Sequence, residues 1–440
     1  MKKRKVLYVS HNHPTVRPGG AETYALELYE AMKSSETFEP YFLAKTGPPI
    51  SNVSRPHEGT LLSRVNADPH QYFFHTDGGD YDWFYGTPRG KDVHVKFFNE
   101  FLSAIRPDVV HFQHTLFLGY DVLQQTRRSL PGVPIIYTLH EYLPICHRNG
   151  QMVRTMDEER CMESSPRRCH ECFPNFSQQQ FFMRKKFVES HFSLVDLFLA
   201  PSHFLRERYL DWGIAPERIE FEDYGRTPIV SRPAKEVPRP HNRLGFFGQL
   251  SHFKGVNVLL KAMQILIQEN SKNRSQSHRN LEVDAQLWVH GANLELQPGT
   301  FQNEFRSLLE ATKQNVTFAG RYAPQDMGAL MENVDWVVIP SIWWENAPLV
   351  IQEAFMHGKP VICSNIGGMA EKVTHMKNGL HFHADDPLQL AQTIRQAVTT
   401  TGLWEELKTG IPDTYLIADS VTKLTGIYDR LIEAKDRAHA

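Results

Sequence analysis

The residues best suited to chemistry lie between Pro340 and Ala354, in the run Pro340-Ser341-Ile342-Trp343-Trp344-Glu345-Asn346-Ala347-Pro348-Leu349-Val350-Ile351-Gln352-Glu353-Ala354. Pro348 suits the first turn of a helix, and Gly358 is a good stop for one. Glu345 then precedes the helix, and Glu353 lies more than a turn along it. Free N–H groups near Ala347 to Val350 open between them. A phosphate on those amides would find a carboxylate on either side, placed for ribose and sugar hydroxyls. Glu353 as a plain surface residue is the duller reading, and the apolar neighbours argue against it.

Two glycine pairs repeat the helix-start device. Gly19-Gly20 follows a candidate strand and opens a helix, and Gly367-Gly368 does the same after Pro360–Cys363. Paired glycines let amides approach an anion closely, although either pair alone reads as well as a tight turn. Four of the five cysteines fall in the spacing Cys146-x14-Cys161-x7-Cys169-x2-Cys172. That pattern leaves three readings open: a structural metal (zinc before others), unpaired thiols, and an iron–sulfur or redox group. His147 and His170 are substitute ligands. Cys363 reads as a core residue. Among the 22 histidines, His140 and His111 stand out, each at the end of a strand.

The elements that must position these groups alternate. Apolar runs at Lys5–Ser10, Asp108–Phe112, Pro134–Thr138 and Asp196–Ala200 predict strands in the first half. In the second half they fall at Leu244–Phe247, Gln286–Val289, Val316–Phe318, Trp336–Ile339, Pro360–Cys363 and Leu380–Phe382. Between them Ala21, Tyr24, Ala25, Leu28 and Met32 form one helical stripe, and Val256–Gln268 and Gln325–Glu332 form others. Strand and helix in alternation predict α/β domains with parallel, doubly wound sheets. The polar stretch Glu269 to Asn280 reads as a loop, and no regular structure is assigned from Gly47 to Gly90. The expected domains are 1–226, with the cysteine insertion at 146–172, then a proline-rich linker at 227–242, and 243–410. A closing segment, 411–440, crosses back to the first domain.

Composition narrows the class. A formal net charge of −2 argues against a dedicated nucleic-acid binder. The apolar run Val6 to Val9 is too short for an export signal or a span, and a cytoplasmic protein is expected. The segment Phe181 to Phe187 mixes aromatics with three cations. It reads either as a solvated basic face or as a peripheral contact with the inner membrane surface.

Taken with their order, these motifs resemble those of the family-4 retaining glycosyltransferases. The resemblance is carried by Glu345-x7-Glu353, Gly19-Gly20-Ala21-Glu22, Thr138-Leu139-His140-Glu141, Ala200-Pro201-Ser202 and Gly248-Gln249-Leu250 with Lys254-Gly255. Val334-Asp335, Pro340-Ser341 and Gly367-Gly368-Met369-Ala370-Glu371 extend it over nearly the whole chain. It implies the GT-B fold, two Rossmann-like domains facing a cleft. It also implies a nucleotide-diphosphate sugar donor, a hydroxyl-bearing acceptor and no catalytic metal. Position by position, Glu353 would hold the donor ribose, and Glu345 the transferred sugar. Lys254 would neutralise the diphosphate with Gly19-Gly20 and the amides of Asn346 to Val350. His140 would face the donor sugar, and Gly367 and Gly368 would lie by the sugar or phosphate. Gln249 departs from the arginine common in the family, which removes one phosphate-binding cation. Two other readings remain: a GT-B sugar-nucleotide epimerase or phosphorylase, and a catalytically silent binding protein. Polysaccharide, lipopolysaccharide, glycolipid and small-molecule acceptors are all compatible.

Overall fold

The chain is described by a computed structural model over residues 2–47, 61–65, 68–76, 81–89, 92–228, 239–275 and 282–439. It divides into two compact units, one of residues 1–227 with 415–440 and one of residues 228–414. Most of the expected linker, residues 229–238, lies outside the described residues.

Unit 1 runs β1 (Arg4–Ser10), α1 (Gly20–Met32), β2 (Phe38–Thr46), β3 (Leu62–Arg64), β4 (Gln71–His75), β5 (Tyr81–Asp82), β6 (Thr87–Pro88), α2 (Asp92–Ile105) and β7 (Val109–Phe112). It continues through α3 (Asp121–Ser129), β8 (Ile135–Thr138), α4 (Pro166–Cys172), α5 (Gln178–Phe192), β9 (Leu197–Ala200), α6 (His203–Trp212) and β10 (Ile219–Phe221). Among the described residues the main sheet has the order β10-β9-β8-β7-β1-β2-β4-β3. It is parallel except where β3 meets β4. Val6, Leu7, Tyr8 and Val9 of β1 are buried, as expected of a parallel strand covered on both faces. The stretch left unassigned, Gly47 to Gly90, supplies β3, β4, β5 and β6 among its described residues.

Unit 2 runs β11 (Arg243–Gln249), α7 (Val256–Ser275), β12 (Gln286–Ala292), α8 (Gly299–Thr312), β13 (Val316–Gly320), α9 (Met327–Glu332) and β14 (Trp336–Ile339). Then follow α10 (Leu349–Met356), β15 (Val361–Ser364), α11 (Gly367–Lys372), β16 (Gly379–Phe382), α12 (Pro387–Thr399) and α13 (Leu403–Thr409). The sheet is parallel in the order β13-β12-β11-β14-β15-β16, the doubly wound arrangement whose order reverses beside the first strand. The expected loop at Glu269 to Asn280 is helical as far as Ser275, because α7 keeps its hydrogen-bonded turns beyond its apolar stripe. Residues 276–280 lie outside the described set.

The last helix, α14 (Ile417–His439), belongs to unit 1. Its Tyr428 is fully buried, and its hydroxyl lies 2.7 Å from His111 Nδ1 and 3.2 Å from the Tyr8 hydroxyl. The helix is thereby anchored to the middle of the unit 1 sheet.

Candidate functional site

In sheets of this winding, ligands sit beyond the carboxyl ends of the strands where the order reverses. In unit 2 that place is the loop after β11. Gly255 takes φ +70°, and a Cβ there would stand 1.8 Å from the Pro340 carbonyl oxygen. Glycine therefore lets the loop after β11 lie against the loop after β14. The approach sets Lys254 Nζ 2.5 Å from Glu345 Oε1. The same oxygen accepts from Ser341 Oγ at 2.8 Å and from Trp343 Nε1 at 3.0 Å. Trp343 is thus a donor in the site, and its ring centroid lies 5.7 Å from the Lys254 ammonium. Glu345 is buried, while the Lys254 side chain is 31% exposed. A pair this open contributes on the order of 1 kcal/mol or less to stability. Its consequence is a fixed cation at the sheet edge.

The start of α10 adjoins this pair. Pro348 precedes the helix with φ −59°, and the first-turn amides of Leu349 and Val350 have no acceptor inside the helix. The Ala347 amide is taken by Asn346 Oδ1. Glu353 lies one turn further on, half-buried, where its carboxylate and the burial of Tyr322 together hold that phenol above its ordinary pKa, burial being the larger cause. Tyr322 stands edge-on to Phe247 and His290, with ring centroids 5.9 Å and 6.2 Å away. The sequence reading missed these three. They occupy the ends of β11 and β12 and the loop after β13, and aromatics at several strand ends were the available signal. Gln249 is exposed.

The second glycine pair packs against the same segment. Gly368 donates its amide to the Glu345 carbonyl at 2.8 Å, and a Cβ on it would lie 1.5 Å from the Asn346 carbonyl oxygen. Gly367 and Gly368 therefore seat α11 against the Glu345–Asn346 backbone, and the Gly368 amide is already used.

In unit 1 the corresponding place is the loop between β1 and α1. Gly19 precedes α1 in an extended conformation, and Glu22 in the first turn folds back so that a Cβ on Gly19 would stand 2.4 Å from its Oε2. His11 Nε2 lies 3.0 Å from Glu22 Oε1, and the His11 and His114 rings are 4.3 Å apart. His114 Nε2 in turn lies 3.3 Å from Glu141 Oε1. Burial raises the Glu22 carboxyl, but the His11 contact and a backbone hydrogen bond outweigh it and leave the group below its usual range. His140 shares both ring nitrogens with its own unit, Nδ1 at 2.5 Å from the Tyr224 hydroxyl and Nε2 at 3.1 Å from Gln113 Oε1. Burial, followed by repulsion from His114, His11 and His111, depresses its pKa well below the ordinary value, so the ring is neutral. His111 is a core residue of β7, bonded to Tyr428 and to Thr138 Oγ1 at 2.7 Å, and burial drives its pKa down to about 3.

Cys146, Cys161, Cys169 and Cys172 line one pocket. As placed, no three His, Cys, Asp or Glu side chains among the described residues are arranged to hold a metal ion. Of the suggested substitute ligands, His147 packs among Phe84, Phe173 and Phe176, and His170 Nδ1 bonds the Phe176 carbonyl at 2.7 Å. Cys363 is buried in β15. On α5, Phe182 and Met183 are exposed, but Arg184 is buried against the carbonyls of Phe84, Pro144 and Leu143 and so leaves the expected basic face. No helix among the described residues is long and apolar enough to cross a membrane.

Comparison with known proteins follows these two sites. Residues 18–221 match the family described as Glycosyltransferase Family 4, and residues 241–400 match Glycosyl transferases group 1. The D-inositol 3-phosphate glycosyltransferase of Corynebacterium efficiens is 28% identical over 419 residues, 89% of this chain and 86% of that protein. The protein of the same name from Jonesia denitrificans is 23% identical, over 97% of this chain and 96% of its own. Among solved structures, sucrose-phosphate synthase from Thermosynechococcus elongatus superposes with a TM-score of 0.71 at 16% identity, covering 98% of this chain and 100% of that one. Anabaena HepE in complex with UDP gives 0.63 at 16% identity, covering 97% and 100%. At such identities the superpositions establish the fold.

Proposed function

Starting from the fact that this chain belongs to the family-4 glycosyltransferases of the GT-B fold, we propose that it moves a sugar, with retention of configuration, from a nucleotide-diphosphate donor to an acceptor hydroxyl. The observation that carries this reading is the Lys254–Glu345 pair beside the open first turn of α10. Lys254 and the amides of Leu349 and Val350 neutralise the departing diphosphate, which is the main electrostatic demand of the reaction. Glu353 holds the ribose hydroxyls, and Glu345, oriented by Ser341 and Trp343, meets the transferred sugar. Neutral His140, its ring already held by Tyr224 and Gln113, is an uncharged hydrogen-bonding partner suited to sugar hydroxyls. The acceptor oxygen bonds to the anomeric carbon on the face from which the phosphate oxygen departs. That phosphate oxygen takes the acceptor's proton, so no metal ion enters the step.

A thermal-shift panel of uridine, guanosine, adenosine and thymidine diphosphates, run beside Glu353→Ala, tests the donor half. A ligand at about 100 times its Kd adds roughly 2.7 kcal/mol, and domains of this size gain about 2–4 °C per kcal/mol. One nucleotide should raise Tm, and the variant should lose the rise. Turnover with the matching sugar nucleotide on inositol phosphate, the acceptor named in the relatives, and on other hydroxyl compounds tests the other half, with the anomer read by NMR. No nucleotide shift together with no transfer ends the reading, and an inverted anomer ends its stereochemistry.

A further inference from the structure

We propose that the cysteine pocket of unit 1 binds one thiophilic cation of the zinc class through Cys146, Cys161, Cys169 and Cys172. All four thiols line a single pocket. Three pieces of backbone bring them there. Cys146 opens a tight turn in which Asn149 and Gly150 take φ of 47° and 70° and the Gly150 amide bonds the Cys146 carbonyl. A short ribbon follows, closed by the Val153–Arg160 bridge and by the Cys161 amide on the Met152 carbonyl at 2.7 Å, and it returns Cys161 to the same side. Helix α4 then presents Cys169 and Cys172, three residues apart, on one face.

The charge balance points the same way. Arg184 is 5% exposed, and its hydrogen bonds go to three neutral carbonyls. Its field reaches both Cys146 and Cys169. A divalent cation that displaces four thiol protons leaves a tetrathiolate complex of charge −2, which sets negative charge within reach of that guanidinium. Neutral thiols supply none. Met152 and Phe181 wall the pocket with apolar surface that would shelter the complex from water.

As placed, the sulfurs line the pocket without converging. Cys161 Sγ is turned onto the Glu163 carbonyl at 2.8 Å, and rotation about its Cα–Cβ bond is the first change that metal binding requires.

The test uses the full chain, free of an affinity tag and purified without chelator. Plasma mass spectrometry should find about one zinc per chain, and cobalt exchange should give the thiolate-to-metal charge-transfer absorption of a four-sulfur site. Cys363→Ser, in unit 2, should keep both signals, and Cys169→Ser/Cys172→Ser should lose both. Should the double variant fail to fold, the parent protein still decides, because a mercurial reagent must release the metal as it consumes the pocket thiols. Absence of metal from the parent, with no charge-transfer band when the reduced protein is titrated with cobalt, overturns the proposal. None of these readouts depends on the nucleotide panel, so the two proposals fail separately.

Discussion

Each unit carries a helix start beside its sheet edge, α10 after Pro348 in unit 2 and α1 after Gly19 in unit 1, and the two are filled differently. In unit 2 the adjoining charge is a fixed cation, Lys254, with the Leu349 and Val350 amides left to α10's surroundings. In unit 1 the helix's own Glu22 folds against Gly19 and pairs with His11, so the positive end of α1 already faces a carboxylate. The unit 1 edge instead carries the Glu22 and Glu141 carboxylates, each beside a histidine, and the neutral ring of His140.

The largest effects should separate the two edges by activity. Lys254→Ala and Glu345→Ala are expected to lower kcat about 100-fold or more, the scale of losing one group that stabilises developing charge. Glu22→Gln, which keeps its shape, should cost less than about 10-fold in the same initial-rate assay. Equal losses would break the comparison. The next effect is on stability. Gly255→Ala and Gly368→Ala each push a methyl into backbone, and the cost should exceed the roughly 1–3 kcal/mol of ordinary overpacking. Thermal melts should show drops of several degrees, whereas Gly426→Ala on α14, where a Cβ meets nothing within 4 Å, should stabilise by up to about 1 kcal/mol.

Acid should act most through unit 1, although burial also holds His290, His357 and His381 of unit 2 below the ordinary value. His11, His111 and His140 have folded pKa values below the ordinary 6.5, with burial the largest cause. The unfolded chain therefore takes up protons first. Stability is complete above about pH 6.5 and falls as pH drops below it, continuing for His111 down to about 3. Each such group adds up to about 1.4 kcal/mol per pH unit within its window. Urea midpoints measured from pH 8 to 5 should decline, and His111→Gln should flatten the slope whatever it does to the midpoint. A flat parent profile would remove the neutral-histidine half of the comparison. The smallest effect is Tyr428→Phe, which deletes the bond to His111 and should cost about 1 kcal/mol by denaturant unfolding.

Much was legible without coordinates because it is local. Parallel strands buried on both faces write continuous apolar runs, as β1, β8, β9 and β14 do, and Pro348 and Gly358 punctuate α10. The spacing of Glu345 and Glu353 follows from the same helix. β2 escaped notice because Glu39, Pro40 and Lys45 interrupt its pattern. Its place beside β1, with Val6 opposite Pro40, is fixed by the neighbouring strand and not by its own propensity. Likewise nothing near Lys254 in the chain announces Glu345, 91 residues on. Only the packing of Gly255 on Pro340 brings them together, as only the seat of α11 on Asn346 explains Gly368. The amino-acid order determined the elements, the family motifs and the residue types available for chemistry. Tertiary packing decided which charges meet, which amides are already taken and which histidines lose their protons, because burial and long-range contact set those energies.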